Sequence, residues 1–146
     1  MKEILITGGA GYIGTSLIPE LLEKNYKVTV YDSLTYAGDI LIPFFKYPNF
    51  SFIKGDILET QKLKSALKGK DVIIHLAALV GYAACEKNHN MTQLVNCDAT
   101  DNLVKMLTPE QLLLFGSTGS NYGKVTNGIC TEETPLNPTS LYAETK

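Results

Sequence analysis

The feature that most constrains this chain is a run of glycines near its start. An apolar segment, Ile4-Leu5-Ile6, is typical of a buried strand, and residues 16–24 are typical of a helix. Between them lies the sequence Thr-Gly-Gly-Ala-Gly-Tyr-Ile-Gly, in which Gly8, Gly11 and Gly14 have the spacing G-x-x-G-x-x-G. Such glycines permit a tight turn, a close approach of backbone to a pyrophosphate, and close packing of helix on strand. Because a helix N-terminus also attracts phosphate, the pattern predicts a dinucleotide site. The alternative is a plain strand-to-helix turn.

An acidic residue ends the second predicted strand, residues 27–32. Asp32 lies 18 positions after Gly14. In dinucleotide-binding folds an acid at this place accepts hydrogen bonds from the adenosine ribose hydroxyls. Its charge would repel a 2′-phosphate, and Ser33-Leu34 follow without an arginine, so NAD is predicted rather than NADP. The alternative is an aspartate that only ends the strand in a turn.

Strand-like and helix-like segments alternate along the rest of the chain. Further strands are predicted at residues 50–54, 72–77 and 111–116, and helices at 59–67, at 90–107 and from Ser140 onward. Residues 119–139 are predicted to form a loop. This alternation predicts an α/β fold with a doubly wound parallel sheet of the Rossmann type, truncated after the fifth strand. The whole chain, residues 1–146, is expected to be one dinucleotide-binding domain.

Composition excludes several classes of protein. The net charge of −2 gives no electrostatic basis for binding nucleic acid. No run of 18 apolar residues is present, so no membrane span is expected. The three cysteines lack C-x-x-C pairing and only two histidines occur, so neither a metal site nor a disulfide framework is expected. The first three residues lead directly into a strand, which leaves no room for a signal peptide, and the expected location is the cytoplasm.

A group of hydroxyl and basic residues near the end carries the clearest chemical signal. Tyr142 and Lys146 are four positions apart at the start of a predicted helix, so both project to one face. A lysine cation would lower the pKa of a tyrosine from about 10, and a phenolate can take a proton from a sugar hydroxyl. Ser117-Thr118 follow the fifth strand, and carboxyl ends of parallel strands face the ligand crevice. The alternative is a chance tyrosine–lysine pair on a helix.

Together these segments resemble the N-terminal part of an extended short-chain dehydrogenase/reductase of the sugar-nucleotide epimerase/dehydratase group. The matching segments, in family order, are residues 7–14, Asp32, Gly55-Asp56-Ile57, His75-Leu76-Ala77-Ala78, Asn96, residues 117–123, Glu132 with Pro135, and residues 142–146. The resemblance implies NAD as cofactor, a nucleotide sugar as substrate, and a homodimer for a complete protein. The family continues beyond the Tyr/Lys helix into more sheet and a small substrate domain, whereas this sequence stops at Lys146.

The resemblance also implies which residues contact the cofactor. Tyr12 and Ile13 would present the backbone of the turn to the pyrophosphate. Asp56 and Ile57 would hold the adenine, and residues 76–78 would line the path to the nicotinamide. The full set implied is Gly8, Gly11, Tyr12, Ile13, Gly14, Asp32, Asp56, Ile57, Leu76, Ala77, Ala78, Tyr142 and Lys146.

Three catalytic roles follow from the same resemblance. Thr118 would hydrogen-bond the reacting hydroxyl, Tyr142 would act as the acid/base, and Lys146 would assist it while holding the nicotinamide ribose. Asn96 is expected to give structural support.

One departure bears on the reaction. Residues 34–38 resemble the corresponding loop of nucleotide-sugar 4,6-dehydratases, but those enzymes carry Asp-Glu after the active-site threonine. Here Gly119 and Ser120 stand in that place. Epimerisation through a keto sugar is therefore favoured, with a reductase or a 4,6-dehydratase as alternatives. A different class, a dinucleotide-binding regulatory protein or an inactive fragment, would have no turnover. The isolated chain is expected to bind dinucleotide weakly and to catalyse nothing alone.

Overall fold

Five strands form one parallel sheet in the structure, a computed structural model that describes residues 1–36, 39–125 and 128–146. The strands are β1 (Glu3–Thr7), β2 (Lys27–Asp32), β3 (Phe50–Lys54), β4 (Val72–His75) and β5 (Leu112–Phe115). Their order is β3-β2-β1-β4-β5, and every neighbouring pair is parallel. The order changes direction at β1, and the ligand crevice of such a sheet lies beside that switch point. The predicted doubly wound α/β fold and its five strands are confirmed.

Helices connect the strands. The α-helices are α1 (Tyr12–Glu23), α2 (Thr60–Leu67), α3 (Tyr82–Lys87), α4 (His89–Thr92), α5 (Ala99–Met106) and α6 (Leu141–Glu144). Two 3₁₀ helices, Asp39–Lys46 and Gly119–Tyr122, were not predicted from the sequence, nor was α3. Ser140 caps α6 as expected, because its Oγ accepts a hydrogen bond from the Ala143 amide at 3.2 Å.

The long helix predicted at residues 90–107 is present with a wider turn inside it. Residues Gln93–Asp98 are π-helical and join α4 to α5. The apolar pattern of a regular helix over residues 90–107 predicts Met91, Leu94 and Leu103 on its buried side, but the exposed fractions of Met91 and Leu94 are 38% and 42%, while Leu103 is fully buried. The π segment interrupts the 3.6-residue period on which that expectation depended.

Apolar side chains cover both faces of the sheet. Ile4 and Ile6 of β1 pack with Ile18 of α1 on one face. Leu5 points to the other face and packs in a second cluster with Leu103 of α5. Strands that are buried on both sides are expected of a parallel sheet with helices on each face, and they hold the carboxyl ends of β1 and β4 in fixed positions.

The β5 edge is the least covered part of the sheet. Leu112 and Leu114 are 53% and 48% exposed, while Leu113, which points to the opposite face, is partly buried against the second cluster. The apolar side chains on one face of β5 are thus open to solvent. Within the described residues, no helix combines the length and apolar character needed to cross a membrane.

Candidate active site

The glycine turn after β1 is tightly enclosed by its neighbours. Gly8 has φ +69° and donates a hydrogen bond from its amide to the Tyr31 carbonyl at 2.9 Å. A β-carbon on Gly8 would stand 2.6 Å from the backbone nitrogen of Ala77, which follows β4. A β-carbon on Gly14 would collide with the carbonyl oxygen of Gly9. The turn therefore has no room for side chains at these two positions, and α1 begins directly against it.

The first turn of α1 presents its backbone to the space above the sheet. Gly11 is the N-cap residue and offers no side-chain capping bond. The amides of a helix's first turn have no partner within the helix, so they are available to an anion. Tyr12 and Ile13 are 91% and 60% exposed, and their side chains stand at the entrance to this space.

A cleft of about 510 Å³ opens at the switch point of the sheet. It gathers all the predicted cofactor residues except Tyr142 and Lys146: Gly8, Gly11, Tyr12, Ile13, Gly14, Asp32, Asp56, Ile57, Leu76, Ala77 and Ala78. Sequence reasoning missed further lining residues: Ala10, Tyr31, Ser33, Thr35, Tyr36, Gly55, Leu79, Val80, Met91 and Val95. Most of these lie inside, or directly beside, a segment that the sequence already singles out, and this is a signal that could have found them. Met91 and Val95 come from the helix that contains the π turn.

Asp32 is held in a fixed orientation by two backbone amides. Its Oδ2 accepts a hydrogen bond from Ala10 at 3.0 Å, and its Oδ1 accepts one from Leu34 at 2.8 Å. Leu34 has φ +59°, a left-handed conformation that directs its amide back to the carboxylate. Asp32 therefore ends its strand in a turn and also lines the cleft, and its role as acceptor for the ribose hydroxyls stays a prediction. A carboxylate has about four acceptor positions, and two remain for hydroxyl donors. Residues 37 and 38 of the dehydratase-like loop lie outside the described residues.

The end of the cleft beside β3 is built from a rigid loop. The Tyr31 hydroxyl donates to the Asp56 carbonyl at 2.8 Å, and Asp56 Oδ1 accepts from the Leu58 amide at 2.9 Å. Burial, and then the charges of Glu59 and Asp56, raise the pKa of Tyr31 to about 12. The phenol therefore remains a donor at neutral pH and keeps Asp56 and Ile57 in place.

The end of β4 carries a buried histidine. His75 has no exposed surface, and its Nδ1 lies 2.6 Å from Thr7 Oγ1 while its Nε2 lies 3.0 Å from Thr100 Oγ1. Burial, and then the Lys146 charge, lower the pKa of His75 to about 4, so the ring is neutral at physiological pH. Both ring nitrogens lie beside threonine hydroxyls, and among the described residues no cluster of His, Cys, Asp and Glu side chains could hold a metal ion.

Of the predicted catalytic residues, Thr118 follows β5 by three positions, Lys146 approaches Phe115 at the end of β5, and Tyr142 lies in α6. Thr118 Oγ1 accepts a hydrogen bond from the Ser120 amide at 3.2 Å. The Lys146 ammonium lies 4.4 Å from the centroid of the Phe115 ring, and burial lowers the pKa of Lys146. This side chain therefore runs towards β5, and its pairing with Tyr142 stays a prediction. Thr118, Tyr142 and Lys146 do not line the 510 Å³ cleft, and β4 separates β5 from β1.

Side-chain hydrogen bonds join this catalytic region to its surroundings. Ser117 Oγ donates to the Lys146 carbonyl at 2.8 Å and accepts from Asn121 Nδ2 at 3.1 Å. Asn96 Nδ2 donates to the Leu79 carbonyl at 3.0 Å and to Thr145 Oγ1 at 3.1 Å. Asn96 thus links the wall of the cleft to the residue before Lys146, which is a supporting role.

The switch-point cleft, the glycine turn and the oriented acid after β2 are together typical of a dinucleotide-binding α/β domain. Comparison with known proteins makes the assignment more specific. The chain belongs to the NAD dependent epimerase/dehydratase family, whose model matches residues 4–146.

Both epimerases and dehydratases are found among the proteins that are similar to this chain. The chain is 31% identical over 153 residues to a dTDP-glucose 4,6-dehydratase of Streptomyces niveus, covering 98% of this chain and 46% of that protein. A UDP-Glc/GlcNAc 4-epimerase from Campylobacter jejuni superposes with TM-score 0.91 and 28% identity, over 100% of this chain and 46% of that one. The dTDP-glucose 4,6-dehydratase DesIV from Streptomyces venezuelae, solved with NAD bound, gives TM-score 0.90 and 34% identity, over 99% and 48%. The chain thus spans about half the length of these relatives.

Proposed function

We propose that the complete protein catalyses NAD-dependent oxidoreduction of a nucleotide-sugar hydroxyl, with epimerisation through a keto-sugar intermediate as the specific reaction. The observation that carries this proposal is the cleft at the switch point, which gathers the glycine turn, Asp32 and the loop after β4 in one place. The relatives' names supply the substrate class, since both a UDP-sugar epimerase and a dTDP-glucose dehydratase share the fold.

The residues of the cleft fit a dinucleotide. Gly8 and Gly14 have no room for a β-carbon, because the backbones of Ala77 and Gly9 lie against them. Glycines packed in this way are typical of a turn whose backbone approaches a pyrophosphate closely. Asp32 keeps two acceptor positions for the adenosine ribose hydroxyls, and Asp56 and Ile57 form the wall proposed for the adenine. When bound, NAD would supply a reversible hydride acceptor beside the sugar. The residues of the protein would bind and orient the two molecules and move the proton.

The protein's own groups would move the proton. Tyr142 takes the proton from the sugar hydroxyl as the carbon is oxidised. It returns the proton after the keto sugar has rotated in the site and presents its other face. Thr118 hydrogen-bonds the same hydroxyl and holds it towards Tyr142. Lys146 stabilises the phenolate and contacts the nicotinamide ribose. A partly buried ammonium, such as that of Lys146, strengthens its interaction with a nearby anion because water screens it less.

Two residues favour epimerisation over dehydration. Gly119 and Ser120 follow Thr118, where a dehydratase needs a carboxylic acid and a carboxylate to remove water. Neither residue can donate and accept protons in that way. A net reductase and a 4,6-dehydratase are the alternative reactions.

The wider biology is proposed on the same basis. Residues 1–146 form one NAD-binding domain, and a substrate domain belongs to the remaining half that the relatives possess. The complete protein is a homodimer that takes a small-molecule substrate. Its three cysteines are free thiols, which fits a reducing cytoplasm.

Product analysis tests the proposal. The complete protein is incubated with NAD and, separately, with UDP-glucose, UDP-N-acetylglucosamine and dTDP-glucose, and the sugars are identified by proton NMR. The expected product is an epimer without net NADH, and Tyr142→Phe serves as the control that should lose it. A 4-keto-6-deoxy sugar would instead establish the dehydratase. Tight NAD binding with every sugar unchanged would favour the regulatory alternative.

A further inference from the structure

A chain of buried and partly buried hydrogen bonds runs through His75, and the available donors and acceptors fix the direction of each bond. The Thr100 hydroxyl donates its one proton to the Asn96 carbonyl at 2.7 Å. Thr100 Oγ1 must therefore accept from His75, 3.0 Å away, which places the ring proton on Nε2. The bare Nδ1 then accepts from Thr7 Oγ1 at 2.6 Å. Thr7 Oγ1 in turn accepts the Ala77 amide at 3.3 Å.

Both ends of this chain of bonds belong to the cofactor cleft. At one end, Ala77 lines the cleft and is the residue that closes against Gly8. At the other end, Asn96 holds Leu79, a second lining residue, by accepting from its amide at 2.8 Å and donating to its carbonyl at 3.0 Å. His75 therefore lies between two supports of the same wall.

We infer that His75 is a positioning residue for the dinucleotide: its neutral ring, protonated on Nε2, fixes the cleft wall at Ala77 and Leu79 relative to the glycine turn. The inference rests on the proposed function, since it assigns His75 to the site where NAD binds. His75 touches neither cofactor nor substrate, because it is fully buried and does not line the cleft.

The Thr7 hydroxyl connects His75 to the cleft wall at Ala77. With Nδ1 as its acceptor, the hydroxyl proton points at His75, and the oxygen lone pairs remain free to receive the Ala77 amide. Without that acceptor, the hydroxyl can rotate and its bond to Ala77 weakens. The loop after β4 would then be held less firmly beside Gly8, and the dinucleotide would have to restore that order when it binds.

The first test compares two buried threonines in the complete protein by titration with NAD. Thr7→Val removes the hydroxyl at constant shape, and we expect NAD affinity to fall by about 3- to 10-fold, the effect of one hydrogen bond. Thr7→Ser should restore wild-type affinity. The matched control is Thr29→Val, because Thr29 is also buried but bonds Lys70 instead. The control should lose stability without losing NAD affinity. Equal losses of NAD affinity in Thr7→Val and Thr29→Val would overturn the inference.

The second test reads the histidine itself and does not need a stable Thr7 variant. Nitrogen-15 NMR should show one neutral tautomer of His75 with the proton on Nε2. A neutral ring with its proton on Nδ1 would contradict the bond directions assigned to Thr7 and Thr100. His75→Asn places an acceptor near the Nδ1 position, whereas His75→Gln places a donor near Nε2. The asparagine variant should keep more NAD affinity than the glutamine variant, and the reverse order would count against the role of Thr7. Failure of the wild-type protein to bind NAD would instead overturn the proposed function.

Discussion

The backbone nitrogen of Ala77 lies only 2.6 Å from the position that a β-carbon on Gly8 would occupy. The end of β4 therefore closes on the glycine turn after β1, and the φ of +69° at Gly8 adds a second constraint. Both Gly8 and Ala77 line the cleft, so this close approach belongs to the proposed dinucleotide site.

This contact predicts the effect of Gly8→Ala. The substitution meets backbone atoms and a left-handed conformation, so it should cost about 1–3 kcal/mol of unfolding free energy. NAD affinity should fall at least about tenfold as the turn opens. Urea unfolding and calorimetric titration measure the two effects. Gly119→Ala is the control, since its β-carbon meets nothing within 4 Å. If the control loses as much NAD affinity as Gly8→Ala, the close approach has no role in binding.

Replacement of the proposed acid/base should separate chemistry from binding. Tyr142→Phe in the complete protein should lower turnover by at least about 100-fold, because the proton carrier is removed, with NAD affinity nearly unchanged. Thr118→Val should cost less, about tenfold, since it removes a single hydrogen bond. Steady-state kinetics with the accepted nucleotide sugar give both values. Near-normal turnover in Tyr142→Phe would mean that another residue is the base.

The buried histidine predicts a dependence of stability on pH. The pKa of His75 in the folded state is about 4, lowered first by burial and then by the Lys146 charge, from an ordinary value of 6.5. The unfolded chain therefore binds more protons between these values. The contribution of His75 is complete above pH 6.5 and is lost as the pH falls towards 4, by about 3 kcal/mol in total.

Urea unfolding at a series of pH values between 7.5 and 4.5 measures this loss. In His75→Gln, the unfolding free energy should no longer show the fall with decreasing pH that His75 causes in the wild-type protein. The control is His89→Gln, because His89 is exposed on the surface and pairs with Glu86. If the unfolding free energy of the wild-type protein does not change below pH 6.5, the lowered pKa of His75 is wrong. It is also wrong if His89→Gln reduces the pH dependence as much as His75→Gln does.

The exposed edge of the sheet predicts self-association of the isolated 146-residue chain. Leu112 and Leu114 present apolar surface on an edge strand, and such edges pair with other chains. Light scattering should show oligomers, and the double variant Leu112→Lys, Leu114→Lys should shift the chain towards monomer. Ile129→Lys, at a loop residue that is 92% exposed, should leave the distribution unchanged. A monodisperse wild-type monomer would contradict this account of the edge.

The sequence contained enough information to predict the sheet and most of the cleft. Apolar runs such as Ile4-Leu5-Ile6 identify buried strands because a parallel sheet covered on both faces has no polar side, and parallel connections follow from the alternation with helices. The glycine spacing and Asp32 mark the switch point because only small residues and an acid suit that place.

Other features depend on contacts that a local pattern does not encode. The π turn at Gln93–Asp98 shifts the buried face of its helix, and within it the Asn96 side chain hydrogen-bonds Leu79 and Thr145, both distant in sequence. The direction of the Lys146 side chain is likewise set by a residue distant in sequence, Phe115. The 3₁₀ helix Asp39–Lys46 contains Pro43, which has no amide hydrogen to donate, so the local sequence gives little indication of a helix there.

Calorimetric titration of the protein with NAD and with NADP measures whether this cleft binds NAD through Asp32. Asp32 lines the cleft and is held by the amides of Ala10 and Leu34, so its charge would repel a 2′-phosphate placed there. NAD should bind at least about tenfold more tightly than NADP, a difference of about 1.4 kcal/mol, and Asp32→Ala should reduce that preference. Equal or tighter binding of NADP by the wild-type protein, or no binding of NAD, would contradict the account.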